Sequence, residues 1–443
     1  MRTAKIKTPS FISLLALCVL CMPGALLSQE ASKTGSFEMT YDVSANALIE
    51  FHNKLGDVNI KTWDRDQLSL KVNYSLEVKN AADLDVFIKA IRNPLVENKE
   101  ERLLVDTRFF ESLSTTNNNF KRSTAMKFKN GQSIEIESYV VNYELRLPRN
   151  NAFNLNSSYS DIQIDALYAN SKLTVYDGNL DLRVSEALVS FDLRYTDLIA
   201  NELNDCVLKL YDSDVEITET GAIEMDSKYS KVHVKNCEGV KLNSYDDKIY
   251  FDNVSGIEGT AKYTTLVTTD LNRVTLDAYD CSLDFGNMTQ LDLKSAYSRM
   301  AFGNISSRVN LNSYDDKISF RGIAVLEGNS KYTSFTIGNI EDRFKLISYD
   351  DNINVNQLKS GFSLIDIETK YTNLELNIEE SADYKLSVDS RYTSIVLDQK
   401  DYKQVILEKK SEKLLADYIK NGGAATKKSL IKIKSYDGKV EIN

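Results

Sequence analysis

The chain has 443 residues, of which 42% are hydrophobic and 27% charged, and its formal net charge is −10. This length and apolar content suffice for one long hydrophobic core or for two domains. The acidic balance argues against a nucleic-acid partner, because such a partner is held by a basic patch.

Residues 1–28 have the features of a secretory signal peptide. A basic start precedes an apolar run from Phe11 to Val19, and Ser28-Gln29 is a plausible cleavage point. The run is too short to span a bilayer, and no later stretch is apolar enough to do so. Cleavage would leave 51 basic residues against 64 acidic ones. We therefore predict an exported protein without a transmembrane span, in the periplasm or on the cell surface.

Residues 29–150 are predicted to form N-terminal strands with an inserted helix. Apolar residues alternate with polar ones from Ile49 to Ile60, which is the strand period. Ala81 to Ile91 carries apolar residues at helical spacing, and Asn93-Pro94 ends that pattern. Ser112 to Asn130 is polar and rich in asparagine, and the pattern predicts a mobile loop.

Residues 151–397 contain a short repeat centred on tyrosine, with units 16 to 19 residues apart from Tyr159 to Tyr349. A fixed short period is typical of stacked repeat architectures. Two versions alternate. The Tyr-Asp version centres on Tyr176, Tyr211, Tyr245, Tyr279, Tyr314, Tyr349 and Tyr436. The Tyr-Thr/Ser version centres on Tyr159, Tyr195, Tyr229, Tyr263, Tyr297, Tyr332, Tyr371 and Tyr392.

Residues 398–443 interrupt the period and then resume it. Ser411 to Lys420 has the apolar spacing of a helix, and Gly422-Gly423 would end it. One further repeat, from Ile431 to Ile442, closes the chain. We predict a helical cap followed by this closing repeat.

Both versions of the repeat fit one frame when they are aligned on apolar residues. The frame is apolar, any, apolar, any, small, four turn residues, apolar, any, apolar, as from Val240 to Phe251. The stretch from Ile49 to Ile60 fits it too, which indicates a first coil separated from the others by an insertion. The first two turn positions read Tyr-Asp in one version and Lys/Arg-Tyr in the other.

Stacking such units would give one column that alternates tyrosine with lysine and a second that alternates aspartate with tyrosine. Neighbouring strands lie about 4.8 Å apart, so like charges in a column would be about 9.6 Å apart. This arrangement avoids stacked like charges and permits contacts between lysine and tyrosine rings. The candidate binding ladder comprises Tyr245, Asp246, Lys262, Tyr263, Tyr279, Asp280, Tyr314, Asp315, Lys331, Tyr332, Tyr349 and Asp350.

The period and the frame together predict an all-β fold, a parallel β-solenoid with coils of about 17 residues. The N-terminal strands with their helix and the C-terminal helix would cap the two open ends. The alternative is an antiparallel β meander in which each turn is a hairpin. Few turns carry the Asn-Gly or Asp-Gly pair that hairpins favour, which weakens that alternative.

Three stretches make the chain similar to a bacterial putative-adhesin family, a domain of unknown function with a β-solenoid fold. They are Leu55 to Ile60 with Trp63, Tyr143 to Pro148, and Ile431 to Ile442. The family has glycine in many turns where this chain has tyrosine, and it offers no established catalytic residues to transfer. The resemblance implies a solenoid fold and an adhesin-like function.

The residues that could support catalysis are few. His52 and His233 both fall between apolar positions of the frame, which places them outward as surface histidines. The aspartate pairs, such as Asp246-Asp247, are compatible with Ca²⁺ binding or with capping of turn amides, and the following lysine favours capping. We predict no metal, no cofactor and no catalytic site.

The three cysteines beyond residue 28 are an odd and sparse set, unlike a disulfide framework. A bridge between Cys206 and Cys237 is one possibility, and small buried thiols are the reading we favour.

Two functional classes remain open from the sequence. The first is an exported non-catalytic scaffold or adhesin-like protein that binds a cell-surface glycan or an envelope protein through the tyrosine ladder. The second is a carbohydrate-active β-helix enzyme, either a polysaccharide lyase or a hydrolase. A purely structural role for the tyrosines, which would stabilise the turns by stacking, competes with the binding role.

Overall fold

The computed structural model describes residues 31–118, 121–397, 402–410, 412–420 and 429–443. The predicted signal peptide, residues 1–28, lies outside this part of the chain. Among the residues described, no helix has both the length and the hydropathy needed to cross a membrane.

The described part of the N-terminal region contains nine strands and one helix. They are β1 (Ala31–Asp42), β2 (Leu48–Lys54), β3 (Val58–Trp63), β4 (Gln67–Val78), α1 (Ala81–Arg92), β5 (Leu95–Lys99), β6 (Arg102–Asp106), β7 (Phe110–Asn118), β8 (Lys121–Phe128) and β9 (Ser133–Pro148).

The repeats form strands that in many cases run through a turn and occupy both sides of a coil. They are β10 (Phe153–Ser158), β11 (Ile162–Leu167), β12 (Ser171–Ser185), β13 (Val189–Leu203), β14 (Cys206–Tyr211), β15 (Asp214–Lys228), β16 (Lys231–Tyr245), β17 (Lys248–Val254), β18 (Gly256–Lys262), β19 (Thr265–Thr268), β20 (Arg273–Tyr279), β21 (Ser282–Phe285), β22 (Met288–Ala296), β23 (Arg299–Tyr314), β24 (Lys317–Lys331), β25 (Ser334–Tyr349), β26 (Asn352–Leu358), β27 (Leu364–Ile378) and β28 (Tyr384–Leu397). The chain ends with β29 (Tyr402–Lys410), β30 (Lys413–Lys420) and β31 (Ser429–Ile442).

Successive coils pair in parallel and in register and form a β-solenoid. The apolar frame positions point inward: Ile249 is 0% exposed and Phe251 is 1% exposed. The small frame position is buried as well, as at Ser244. The parallel solenoid is therefore confirmed, and the antiparallel meander is wrong for the repeat region.

The first coil is formed by β2 and β3, as the frame predicted. Ile49 pairs with Phe153 and Val58 pairs with Ile162, both in parallel register with the next coil. The inserted segment then adds β6 beside β2 and β9 beside β3. The insertion thus extends the sheet beyond the first coil.

Antiparallel strands cover the N-terminal end of the solenoid, with β4 pairing with β1 on one side and β9 on the other. The predicted helix is confirmed as α1, whose N-cap is Asn80 and which buries Phe87, Ile88 and Ile91. The loop predicted from Ser112 to Asn130 is wrong, because β7 and β8 form an antiparallel hairpin there. Met126 and Phe128 are buried, and this packing outweighs the polar composition of the hairpin.

Antiparallel strands also cover the C-terminal end, so the helix predicted for Ser411 to Lys420 is wrong. Within the described part of that segment, β30 pairs antiparallel with both β28 and β29. Ala416 and Tyr418 are buried two residues apart, which is the strand period. The free edge of β28 supplies hydrogen-bond partners for a strand. This pairing stabilises the strand more than the helical spacing of the apolar residues would stabilise a helix. The glycines expected to end the helix, Gly422-Gly423, lie outside the described residues.

The closing repeat enters the solenoid out of chain order. β31 lies between β27 and β28 and pairs in parallel with both: Ile433 faces Ile367 on one side and Val388 on the other. The last strand of the chain therefore joins two coils that precede it in sequence.

Candidate functional site

Every tyrosine turn places its second residue in the left-handed region of backbone space. The φ angles there lie between 49° and 59°, at eight tyrosines and seven aspartates. The tyrosines are Tyr159, Tyr195, Tyr229, Tyr263, Tyr297, Tyr332, Tyr371 and Tyr392, and the aspartates are Asp177, Asp212, Asp246, Asp280, Asp315, Asp350 and Asp437. Aspartate adopts this conformation several-fold more often than most side chains, whereas a bulky tyrosine there is strained.

The first residue of each turn lies in an adjacent column that alternates tyrosine with a basic residue, except that Ser158 and Ala296 stand at two of the basic positions. Tyr245 pairs with Lys228 on one side and with Lys262 on the other, and Lys262 pairs in turn with Tyr279. The predicted checkerboard of tyrosine, lysine and aspartate is therefore present apart from these two positions. All twelve residues proposed for the ladder lie along this one edge of the solenoid.

The tyrosines of both columns form one continuous ladder of fifteen rings. Each ring lies edge-to-face against the next, with centroids 5.3 to 6.1 Å apart and planes inclined by 72° to 88°. This is the geometry that aromatic pairs prefer. The spatial order runs Tyr159, Tyr176, Tyr195, Tyr211, Tyr229, Tyr245, Tyr263, Tyr279, Tyr297, Tyr314, Tyr332, Tyr349, Tyr371, Tyr436 and Tyr392.

Lysines make the predicted ring contacts near the C-terminal end of the ladder. The Lys331 ammonium lies 4.7 Å from the Tyr332 centroid and 4.9 Å from that of Tyr349. Lys370 lies within 5.7 Å of three ladder rings. The pKa of Lys331 is raised, chiefly by a hydrogen bond to Tyr332, so this lysine is charged at neutral pH.

The ladder is open to solvent while its rings contact one another. Fourteen of the fifteen tyrosines are 37% to 47% exposed. The pKa values of Tyr195, Tyr229, Tyr263 and Tyr297 are raised, first by partial desolvation and then by the neighbouring tyrosines and aspartates. These phenols are consequently neutral at physiological pH and able to donate hydrogen bonds to a ligand.

Beneath the ladder, the second aspartate of the Asp-Asp turns is buried and caps the backbone. Asp247 is 2% exposed, and its Oδ1 accepts from the Ser227 hydroxyl at 3.0 Å and the Ser230 amide at 2.7 Å. Its Oδ2 accepts from the Ser244 hydroxyl at 2.5 Å and the Tyr245 amide at 3.1 Å. Four donors thus occupy this carboxylate, which is the capping role that the sequence favoured.

The same cap recurs at Asp316 and Asp351, each 4% exposed. Asp316 accepts from two serine hydroxyls and two backbone amides, and Asp351 accepts from Ser330, Ser348 and the Thr333 amide. Burial raises the pKa of Asp247 and Asp351, and the hydrogen bonds partly oppose that rise. Across the described ranges, no group of three or more His, Cys, Asp or Glu side chains is arranged to hold a metal ion.

The two histidines lie on the outside, away from the ladder. His233 is exposed, with its Nε2 3.1 Å from the Asp252 carboxylate. His52 is half-buried, and its Nδ1 lies 3.1 Å from the Arg108 guanidinium. Burial and Arg108 lower the pKa of His52, so it is neutral at pH 7. His52 is thus packed against the inserted segment, in contrast to the predicted fully solvated position.

Cys206, Cys237 and Cys281 are buried, free thiols, which confirms the favoured prediction of small buried thiols. Burial raises the pKa of Cys206 to about 11 and that of Cys237 to about 12, which makes both unreactive near neutral pH.

A column of basic residues beside the ladder went unnoticed in the sequence. The column is formed by the last of the four turn residues. In six successive coils this position is basic four times, at Lys231, Lys248, Arg299 and Lys317, and all four side chains are exposed. An alignment of this fourth turn position across the repeats would have shown the basic column. The alternation of tyrosine and aspartate at the first two turn positions drew attention away from it.

Comparison with known proteins leaves the resemblance stated above unconfirmed at the level of a family. No family model matches the chain, and no curated protein matches it. One solved structure, described as a "putative cell adhesion protein" from Clostridium sporogenes, is similar at 9% identity over 93% of this chain and 99% of its own, with a TM-score of 0.18. Another, described as a "putative lipid binding protein" from Parabacteroides distasonis, is similar at 10% identity over 75% of this chain and 96% of its own, with a TM-score of 0.20. At these TM-scores, neither likeness carries an argument about this chain.

Proposed function

We propose that this protein is an exported, non-catalytic, adhesin-like binding protein, and that it holds an elongated partner along the tyrosine ladder. The partner is a cell-surface glycan or an envelope protein. The ladder offers a ring at every coil, roughly every 4.8 Å, so it suits a ligand with many repeated contacts. Its alternating lysines and aspartates add polar partners on either side.

The observation that carries the proposal is the backbone conformation of the eight tyrosines at positive φ. Glycine or asparagine would meet this conformation at lower cost. Strained residues persist where the surrounding structure fixes them, and they cluster at functional sites. Stacking between neighbouring rings explains part of the preference for tyrosine at these positions. The part of each ring that stays exposed is surface that a partner can contact.

The roles of the buried carboxylates and of the two histidines support the non-catalytic part of the proposal. The buried carboxylates cap turn amides, and each histidine contacts a neighbouring charged group. The non-catalytic assignment rests on this use of the titratable groups. An assay for polysaccharide cleavage tests it: cleavage that is lost on substituting a single exposed carboxylate would favour the β-helix enzyme.

A glycan array tests the binding proposal directly. The informative variant is Tyr263→Gly/Tyr297→Gly/Tyr332→Gly, which removes three exposed rings and relieves the strained backbone. We expect wild-type binding and a large loss in this variant. The matched control, Asp177→Gly/Asp212→Gly, places glycine in the same backbone conformation and keeps every ring. Equal binding by wild type and the tyrosine variant would contradict the proposal.

Export and location are part of the same proposal. Protease accessibility on intact cells distinguishes a surface protein from a periplasmic one. A protein found in the cytoplasm with residues 1–28 still attached would contradict the proposed export.

A further inference from the structure

The basic column beside the ladder has a defined order. Lys231 pairs with Lys248, and Arg299 pairs with Lys317, each on neighbouring strands. Thr265 and Ser282 lie between the two pairs in the same column. We call these six residues the basic stripe. Each pair stacks like charges about 4.8 Å apart, an arrangement that destabilises a sheet.

Among the described residues, none of the four basic side chains lies within 4.0 Å of a carboxylate oxygen, and the one carboxylate next to them in the column is Asp214, the strand neighbour of Lys231. The stripe is unusual in a chain whose net charge is −10. It also borders the ladder: a groove of about 410 Å³ is lined by Tyr263, Tyr297, Arg299 and Lys317, together with Asp280, Asp315 and the buried Asp316. Aromatic rings and two cations of the basic stripe therefore meet in one groove, while the excess of positive charge is a property of the surrounding turns taken together.

The charges along the edge of the solenoid are segregated into blocks. The seven turns from Lys228 to Ser334 carry seven cations that reach solvent and three exposed carboxylates, with two more carboxylates, Asp247 and Asp316, buried. The cations are Lys228, Lys231, Lys248, Lys262, Arg299, Lys317 and Lys331, and the exposed carboxylates are Asp246, Asp280 and Asp315. The four preceding turns carry five exposed carboxylates, Asp161, Asp177, Asp197, Asp212 and Asp214, and one cation, Arg194.

We propose that these seven turns bind an acidic polysaccharide, whose sugar rings lie on the tyrosines while its anionic groups lie over the basic stripe. This inference rests on the proposed function and names the ligand class for the same ladder. Six intervals of about 4.8 Å give a footprint of about 29 Å. The acidic block repels a polyanion and so limits the bound segment to the seven turns.

The ring geometry favours a glycan over a single-stranded nucleic acid. Adjacent centroids in this region are 5.3 to 5.8 Å apart and the rings are edge-to-face, so neighbouring rings do not present a row of parallel faces. Sequence-independent binding of a single strand stacks successive bases on aromatic faces, which this alternation of ring orientations disfavours. The apolar faces of sugar rings need only the exposed side of a tyrosine, and the neutral phenols can donate hydrogen bonds to sugar oxygens.

The test measures binding of full-length mature protein to polygalacturonate, to neutral dextran and to polyuridylate. The stripe variant is Lys231→Ser/Lys248→Ser/Arg299→Ser/Lys317→Ser. Its control, Lys172→Ser/Lys209→Ser/Lys241→Ser/Lys345→Ser, makes the same change in net charge on exposed strand positions away from the stripe. Removing stacked like charges leaves the fold intact, which unfolding midpoints of both variants will verify.

We expect wild type to prefer polygalacturonate, with affinity that falls as salt rises. The stripe variant should bind about tenfold more weakly or worse, and the control within about twofold of wild type. Equal losses in both variants, or tighter binding of polyuridylate, would overturn the inference. Binding of dextran in preference to polygalacturonate would overturn it and leave the proposed function standing. Binding of no glycan, on these probes or on the array, would overturn the inference and leave an envelope protein as the remaining partner of the proposed function.

Discussion

The ring of Tyr436 lies edge-to-face against that of Tyr392, with centroids 5.5 Å apart and planes at 75°. Tyr436 belongs to the last strand of the chain, and on its other side it contacts Tyr371. In sequence, Tyr371 and Tyr392 are consecutive units of the same version, which breaks the alternation. Insertion of β31 between them restores the alternation in space, so the ladder continues without interruption to the end of the stack.

The frame predicts very different costs for substitutions at neighbouring positions. Ile249→Asp should unfold the surrounding coils, because Ile249 is 0% exposed and the variant buries an unpaired charge. Asp246→Ala should cost about 1 kcal/mol or less, since Asp246 is exposed and the cost is that of alanine at a φ of 57°. Urea-unfolding midpoints measure both. Equal losses from the two changes would refute the frame.

The buried carboxylate of Asp247 should give an unusual pH dependence. Its pKa is raised on folding, so its contribution to stability is fully present below the unfolded pKa and is lost as the pH rises through the folded pKa. Asp247→Asn should destabilise at every pH by about 1 to 3 kcal/mol, because the new amide group faces a backbone donor. The loss should be larger at pH 4 than at pH 7, as measured by urea unfolding at each pH. A loss that grows toward neutral pH would contradict this assignment.

The two tyrosine columns should respond in opposite ways to glycine and alanine. Tyr263 has a φ of 56°, so Tyr263→Gly should be more stable than Tyr263→Ala by about 1 kcal/mol. Tyr279 lies at the end of β20 without a positive φ, so Tyr279→Ala should be more stable than Tyr279→Gly by about 0.5 to 1 kcal/mol. Thermal melts of the four variants give both differences. The same order at both positions would contradict the alternation of backbone conformation.

Gly259 permits a close approach between coils that no larger residue allows. A Cβ atom at this position would lie 1.9 Å from the Leu242 carbonyl oxygen, and φ is +145°. Gly259→Ala should therefore destabilise by about 2 kcal/mol or more. The control is Gly239→Ala, where the nearest atom to a Cβ would be 3.7 Å away. Comparable unfolding midpoints for the two variants would show that the coils do not pack in this register.

The repeat region could be predicted from the sequence because each coil repeats the same apolar frame. Period, frame and alternation of tyrosine with lysine specify the stacking, the inward residues and the ladder, as at Tyr245 and Lys262. The capping by the second aspartate was favoured for the same reason. Its burial was not visible, because Asp246 and Asp247 are chemically identical and only the turn geometry separates them.

The caps were harder to predict because their strands depend on partners distant in sequence. The segment from Lys413 to Lys420 carries apolar residues compatible with both a helix and a strand, and pairing with β28 decides the outcome. The Ser112 to Asn130 stretch has a polar composition, and its strands form through pairing with each other and with β9. The place of β31 depends on which coil edge remains free, and local pattern does not encode that.

The most direct test of the account is tyrosine nitration, read residue by residue with mass spectrometry, in the presence and absence of a bound polysaccharide. Half-buried Tyr250 lies on a strand face outside the ladder and serves as the internal control. We predict protection of Tyr263, Tyr297 and Tyr332 on binding, with unchanged nitration of Tyr250. Saturating ligand that leaves the nitration of all ladder tyrosines unchanged would contradict the claim that the ladder is the binding surface.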